Sequence, residues 1–164
     1  MSTPHALGAA ELVRTPTTKA KAEIVSRNDL GFLLAKATQR WNELLTEHFA
    51  TAGYSDISPS YGSILLPLYE EDGLRMGELA RRARLSKQSM TEMIRRLERD
   101  GLVERRPDPA DGRASLIYLT PRSRRFKPIA ASTLLELDRI VRKRLSARRV
   151  AELRSALTEL MELE

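Results

Sequence analysis

The change of hydrophobic period near Gly101 is the feature that most constrains the fold. Before this point apolar residues recur at every third or fourth position, which is typical of amphipathic helices. After it, residues 102–106 and 115–119 form short runs with β-branched and aromatic side chains, which predict strands. The linker 107–113 is dense in turn-forming residues. The sequence therefore predicts a two-stranded hairpin with a long tip, preceded by helices.

Four helices are predicted before the hairpin. The first extends from Asn28 to just before Gly53, and the second begins at Ser58-Pro59, a serine cap followed by proline at the first helical position. The second helix ends near Asp72-Gly73, with a kink expected at Pro67. A third, short helix covers residues 76–83, and a fourth covers residues 86–100.

Two helices are predicted after the hairpin. Thr120-Pro121 repeats the cap-and-proline start and opens a long helix to about Leu145, and Ser146 caps a final helix. Two short helices and a hairpin in succession form a winged helix-turn-helix plan. The expected fold class is mainly α with a small β-hairpin wing (α+β).

Composition narrows the class of protein. The 164 residues include no cysteine, so disulfides, thiolate metal sites and thiol-based redox sensing are excluded for this chain. No apolar run is long enough for a membrane span, and the N-terminus does not resemble a secretory signal, so we expect a cytoplasmic protein. Net charge is −3 over residues 1–74, +4 over 75–113 and +5 over 114–164. A basic region attracts polyanions, with nucleic acid the commonest partner and an anionic membrane surface the alternative.

The fourth helix has one apolar and one polar face. Met90, Met93, Ile94 and Leu97 follow a spacing that commits one side to packing. The opposite side, with residues 86–89 at its start, carries groups that hydrogen-bond to base edges or phosphates. The simpler alternative is a solvated helix face, but the preceding helix and the following basic hairpin favour DNA.

The sequence resembles the MarR family of bacterial transcriptional regulators over about residues 28–164. The motifs that carry the resemblance are Met76-Gly-Glu-Leu-Ala, Leu85-Ser, the segment 90–105, the wing segment Asp108-Pro-Ala-Asp-Gly-Arg113 and the strand that follows. The residue at position 84 departs from the glycine that helix-turn-helix proteins often have in this turn. The alternatives for the wing segment are an ordinary turn and, with weaker support, a calcium-binding loop.

The resemblance implies a set of DNA-binding residues. Residues 86–96 would read the major groove, and Asp111 would orient Arg113 into the minor groove, whose negative potential attracts a guanidinium. The DNA-binding residues expected on this basis are Ser86, Lys87, Gln88, Ser89, Thr91, Glu92, Arg95, Arg96, Asp111 and Arg113.

The flanking helices carry more apolar surface than a wing-sized core covers. One apolar row contains Leu134, Leu137, Val141 and Leu145, and a second runs from Leu153 to Leu163. They are either the core of a monomer or, as the resemblance implies, the interface of a two-fold homodimer. The expected organisation is a flexible N-terminal arm (1–27), an N-terminal dimerisation helix (28–57), a winged helix-turn-helix domain (58–120) and C-terminal dimerisation helices (121–164).

The resemblance also implies a small-molecule effector, often aromatic or phenolic, between the dimer helices and the DNA-binding lobe. By position, the possible contacts are Arg40, Trp41, His48 and Tyr61; Trp41 and Tyr61 are equally expected in the core. We expect no metal and no cofactor, because a lone ordered histidine does not make a zinc site.

The expected function is a sequence-specific DNA-binding repressor that acts on a pseudo-palindromic operator and is relieved by an effector. An enzyme is not expected, because the sequence shows neither a nucleophile-base pair nor a phosphate-binding glycine loop. The remaining alternative is a winged-helix module that binds a protein partner, which would more often expose apolar residues on the fourth helix.

Overall fold

The computed structural model describes residues 26–163, and the predicted arm 1–27 lies almost entirely outside them. The described residues form two units, 26–40 and 41–163. Helix α1 is Leu30–Thr51, and in the first unit Asp29 caps its start, because Asp29 Oδ2 accepts the Phe32 N–H at 2.9 Å. No helix in the described range is long and apolar enough to cross a membrane.

The remaining elements belong to the second unit. They are a 3-10 turn Pro59–Tyr61, α2 Gly62–Glu70, β1 Leu74–Arg75, α3 Met76–Arg82, α4 Lys87–Arg99, β2 Val103–Asp108, β3 Asp111–Leu119 and α5 Pro121–Met161. Thr120 caps α5, and the helix is interrupted at Ser146, where φ is +64°. The predicted winged helix-turn-helix fold, with its order of helices and hairpin, is confirmed.

The predicted two-stranded sheet is wrong in two respects. The sheet has three antiparallel strands in the order β1-β3-β2, because Leu74 and Arg75 pair with Ile117 and Leu116. The tip is also short rather than long, since the strands continue to the pair Asp108 and Asp111, with a register irregularity after Pro107. The turn formers of 107–113 therefore shape a tight turn and a bulge rather than a loop.

The core of the second unit joins the helix-turn-helix, the sheet and the start of α5. Ile64, Leu79, Ile94, Leu97 and Ile117 are completely buried in it. Phe126 brings α5 into the same core, with its ring centre 4.9 Å from that of Phe49.

The two predicted apolar rows of α5 differ in their surroundings. Leu137 is 1% exposed and belongs to the core of its own chain, which for this residue is the first of the two alternatives. Periodicity identified an apolar face but not what covers it. Leu134, Leu153, Leu157 and Leu163 are exposed.

Candidate nucleic-acid interface and apolar cleft

The start of helix α4 is held by Ser86. Its Oγ accepts the backbone N–H of Ser89 at 3.1 Å, and its hydroxyl donates to Ser89 Oγ at 2.9 Å. The side chains of residues 86–89 are exposed, whereas Met90, Ile94 and Leu97 on the other face are buried. The polar half of the helix start is therefore presented to solvent on a rigid base.

The turn before α4 contains Arg84 at the position where helix-turn-helix proteins often have glycine. Arg84 has φ of +51°, in the left-handed region where glycine has no steric penalty. The Leu85 N–H donates to the Ala80 carbonyl at 3.0 Å and closes the turn. An arginine therefore occupies the conformation that the usual glycine would adopt.

Helix α4 and the wing form one block. The Leu102 N–H donates to the Leu97 carbonyl at 2.8 Å, where Gly101 takes φ of +66°. Arg105 Nε donates to Glu98 Oε1 at 2.9 Å and joins strand β2 to the helix. The helix and the hairpin therefore cannot move independently without breaking these bonds.

The wing tip is organised by two carboxylates. Asp111 Oδ1 accepts the backbone N–H of Arg113 at 3.0 Å, which fixes the backbone that carries this exposed side chain. Asp108 is buried, and its side chain accepts the Ala110 N–H at 2.8 Å and Arg75 Nε at 2.6 Å. The Ala110 N–H, followed by Arg75, holds the pKa of Asp108 below its usual 3.8, against the opposing effect of burial.

Arg75 is a site residue that sequence analysis missed. It lies in a two-residue strand and reaches Asp108 across 33 positions of sequence, so no local pattern identifies it. A local signal for it was the polar Arg75 directly after the apolar Leu74, an alternation that is typical of a strand with one buried face.

The predicted DNA-binding residues differ in their existing partners. Arg96 pairs with Glu92 at 3.0 Å, and the Thr91 hydroxyl donates to the Lys87 carbonyl at 2.9 Å. Four other side chains make no hydrogen bond or ion pair with any part of the chain that the structure describes. They are Lys87, Gln88, Arg95 and Arg113.

An apolar cleft of about 290 Å³ lies between α1, the segment 57–69 and α5. Trp41 and Tyr61, two of the predicted effector contacts, line it together with Phe49, Leu65 and Tyr69. Tyr69 donates its hydroxyl to the Ser123 carbonyl at 3.0 Å, and burial raises the pKa of Tyr69 to about 12.

The predicted effector residues of the second unit do not all line this cleft. His48 lines a separate groove with Glu47 and Thr133, and its Nδ1 lies 2.8 Å from the Leu44 carbonyl. Arg40 belongs to the other unit.

The comparisons with known proteins agree with this geometry. Residues 57–115 match the model of the MarR family. The curated regulator TtmR of Methylorubrum extorquens, an HTH-type transcriptional regulator, is 39% identical over 64 residues, which are 39% of this chain and 33% of TtmR. The match therefore spans about a third of that relative's length.

Two solved structures share the fold. The repressor CouR, bound to a 23-mer DNA duplex, has a TM-score of 0.71 with 24% identity, covering 84% of this chain and 99% of CouR. PcaV of Streptomyces coelicolor, in complex with its natural ligand, has a TM-score of 0.71 with 23% identity, covering 84% of this chain and 96% of PcaV. The resemblance inferred from sequence is thus confirmed: residues 57–115 match the MarR family model, and the described part of the chain shares the fold of CouR and PcaV.

Proposed function

We propose that the protein is a sequence-specific DNA-binding transcriptional regulator in which helix α4 enters the major groove and the wing tip enters the adjacent minor groove. The observation that carries this proposal is the rigid connection of the two elements through Leu97–Leu102 and Arg105–Glu98. A block of this kind fixes the angle between a groove-reading helix and a hairpin. The fold shared with CouR, whose structure contains a DNA duplex, supports the same placement.

We assign different DNA contacts to the four side chains that have no partner in the described part of the chain. Gln88 and Arg95 contact base edges, since amide and guanidinium groups pair with two acceptors of one base. Lys87 and Arg113 contact phosphates and the minor groove. The proposed DNA-contacting set is Ser86, Lys87, Gln88, Ser89, Thr91, Glu92, Arg95, Arg96 and Arg113, with Asp111 holding the backbone of Arg113.

The proposed active form is a two-fold dimer through the C-terminal helices. Leu153 and Leu157 are 46% and 37% exposed, which is unusual for a row of leucines on one helix of a monomer. A two-fold axis would place two α4 helices about 34 Å apart, one turn of B-DNA, and would require a pseudo-palindromic operator.

The proposed regulatory outcome is repression that a small aromatic or phenolic effector relieves. The cleft that Trp41 and Tyr61 line has the size and apolar character of a small-molecule site. PcaV, which shares the fold, was solved with its natural ligand.

Selection of duplexes from a random library, followed by titration of the selected duplex at several salt concentrations, tests the proposal. We expect selection of a pseudo-palindrome and affinity that falls steeply as salt rises, because phosphate contacts release counterions. Failure to enrich any sequence, or affinity that does not depend on salt, would contradict DNA recognition.

A further inference from the structure

The segment 56–61 forms one wall of the apolar cleft and also holds the C-terminal end of helix α4. Ile57, Ser58 and Tyr61 line the cleft. The Tyr61 hydroxyl donates to Asp100 Oδ2 at 2.5 Å, and Asp100 is the C-cap residue that follows Arg99 at the end of α4. One side chain therefore contacts both the cleft and the proposed recognition helix.

A second connection joins the same segment to the same helix end. Both carboxylate oxygens of Asp56 accept hydrogen bonds from Arg122 Nη2, at 2.8 and 2.7 Å. Arg122 Nη1 donates in turn to the backbone carbonyl of Asp100. The end of α4 is thus attached to the cleft wall through the Asp100 side chain and through the Asp100 backbone.

Both connections involve a charged partner, which makes them stronger than neutral hydrogen bonds. Burial, followed by the bond to Asp100, raises the pKa of Tyr61 to about 12, so its hydroxyl remains a proton donor at physiological pH. The hydrogen bond from Arg122 lowers the pKa of Asp56, which keeps this carboxylate ionised.

We propose that Tyr61 is the positioning residue through which an aromatic occupant of the cleft acts on the recognition helix. Tyr61 is only 7% exposed, so an occupant packed against its ring shifts the ring and draws the hydroxyl away from Asp100. The end of α4 then loosens, together with the start of the wing at Leu102, whose N–H bonds to Leu97. The DNA-related part rests on the proposed function, whereas the connection itself does not.

Hydrogen exchange on the free full-length protein tests the connection without DNA. The amides of Asp100, Gly101 and Leu102 donate to carbonyls in the last turns of α4, so they report its opening. Tyr61→Phe removes the hydroxyl and keeps the ring, and we expect the protection of these amides to fall by about tenfold. Unchanged protection overturns the proposal.

Tyr69→Phe is the matched control. Tyr69 lines the same cleft and has a similarly raised pKa, but its hydroxyl bonds to the Ser123 carbonyl. We expect the amides of residues 100–102 to keep their protection in this variant. Equal loss in both variants would mean that any hydroxyl removed from the cleft loosens the helix, which contradicts a specific role for Tyr61.

A probe tests the action of an occupant. 4-Methylphenol is a small neutral aromatic, and its entry is followed by the fluorescence of Trp41, the single tryptophan, which lines the cleft. In the wild type we expect the probe, at concentrations up to its solubility, to lower protection at residues 100–102 and to weaken affinity for the selected duplex several-fold. In Tyr61→Phe both effects should be lost while the probe still binds.

The outcomes separate the two proposals. Wild-type protein that never binds DNA, but whose residues 100–102 respond to the probe through Tyr61, contradicts the proposed function and supports the connection. DNA binding with no response of these amides to the probe, or with an equal response in Tyr61→Phe, overturns the role of Tyr61 and leaves DNA recognition intact.

Discussion

Arg75, the last residue of strand β1, forms an ion pair with Asp108 at the tip of the wing, with Arg75 Nη2 2.5 Å from Asp108 Oδ2. The pair ties the wing to the residue immediately before helix α3. It explains why β1, although only two residues long, matters to the site. The position of Arg113 therefore depends on a contact that starts at the other edge of the sheet.

Arg75→Ala should loosen the wing tip. We expect faster exchange of the Ala110 amide and several-fold weaker DNA binding. The reason is that Asp108, which holds the turn before Arg113, loses its ion pair with Arg75 and keeps only the hydrogen bond from the Ala110 N–H. Arg106→Ala is the matched control, since Arg106 is also a wing cation but pairs with Glu104 and lies over the Tyr118 ring. If both variants weaken DNA binding equally and neither alters exchange at Ala110, the effect is one of charge and positioning by Arg75 is contradicted.

The Asp108 carboxylate should resist acid. Its pKa in the folded protein lies below the usual 3.8, so its contribution to stability is fully present above about 3.8 and is lost as the pH falls through the lowered value. Carboxyl-detected NMR titration should find Asp108 more than half ionised at pH 3.8. In Arg75→Ala its pKa should rise only in part, because the Ala110 N–H is the larger cause. A normal pKa in the wild type would contradict the anchored tip.

Gly73→Ala should be strongly destabilising. Gly73 has φ of +76°, and an added Cβ would lie 2.7 Å from the Tyr118 ring, so we expect a loss of about 2 kcal/mol or more in the free energy of unfolding. Gly101→Ala is the control, because Gly101 also has positive φ, +66°, but open space around it. That variant should lose about 1 kcal/mol. Urea denaturation of both variants, and of Gly73→Ala in a Tyr118→Ala background, measures the steric part; no relief in that background would contradict the contact.

Several of these features were predictable from sequence and others were not. The starts of the helices at Ser58-Pro59, Ser86 and Thr120-Pro121 were predicted within a few residues, because a cap is a local interaction between neighbours. Strand β1 was missed because two residues have no period and its pairing with β3 is non-local. The wing tip was predicted as a loop because turn-forming residues at 107–113 do not by themselves define the register of the strands.

The candidate site was predictable to a similar extent. The exposed face of α4 follows from the position of its buried residues, which periodicity identifies. The separation of His48 from Trp41 and the burial of Leu137 depend on which elements pack against those faces, and a single sequence does not contain that information. The roles of the predicted DNA and effector contacts stay predictions.

Ser86→Ala should lower the free energy of unfolding by about 1 kcal/mol, since the N–H of Ser89 loses its acceptor. Ser86→Asp keeps an acceptor at the cap and should restore most of this loss. Chemical denaturation of the three proteins provides the comparison. Equal loss in both variants would show that the hydroxyl does not act as a cap.

Gln88→Ala or Arg95→Ala should weaken binding to the selected duplex by about 1–3 kcal/mol and relax the preference at one base position. Arg113→Ala should instead weaken binding across sequences and reduce the salt dependence by about one counterion. Affinities for duplexes with single substitutions separate the two patterns. The same pattern in all three variants would contradict the division between base reading and backbone contact.

Sedimentation velocity of the protein with its selected duplex tests whether two helix-and-wing blocks bind one duplex together. We expect a complex that contains two chains of 18.5 kDa per duplex and is disrupted by raised salt, while the free protein remains dimeric. A single chain per duplex, or a monomer that does not bind DNA at low salt, would contradict it.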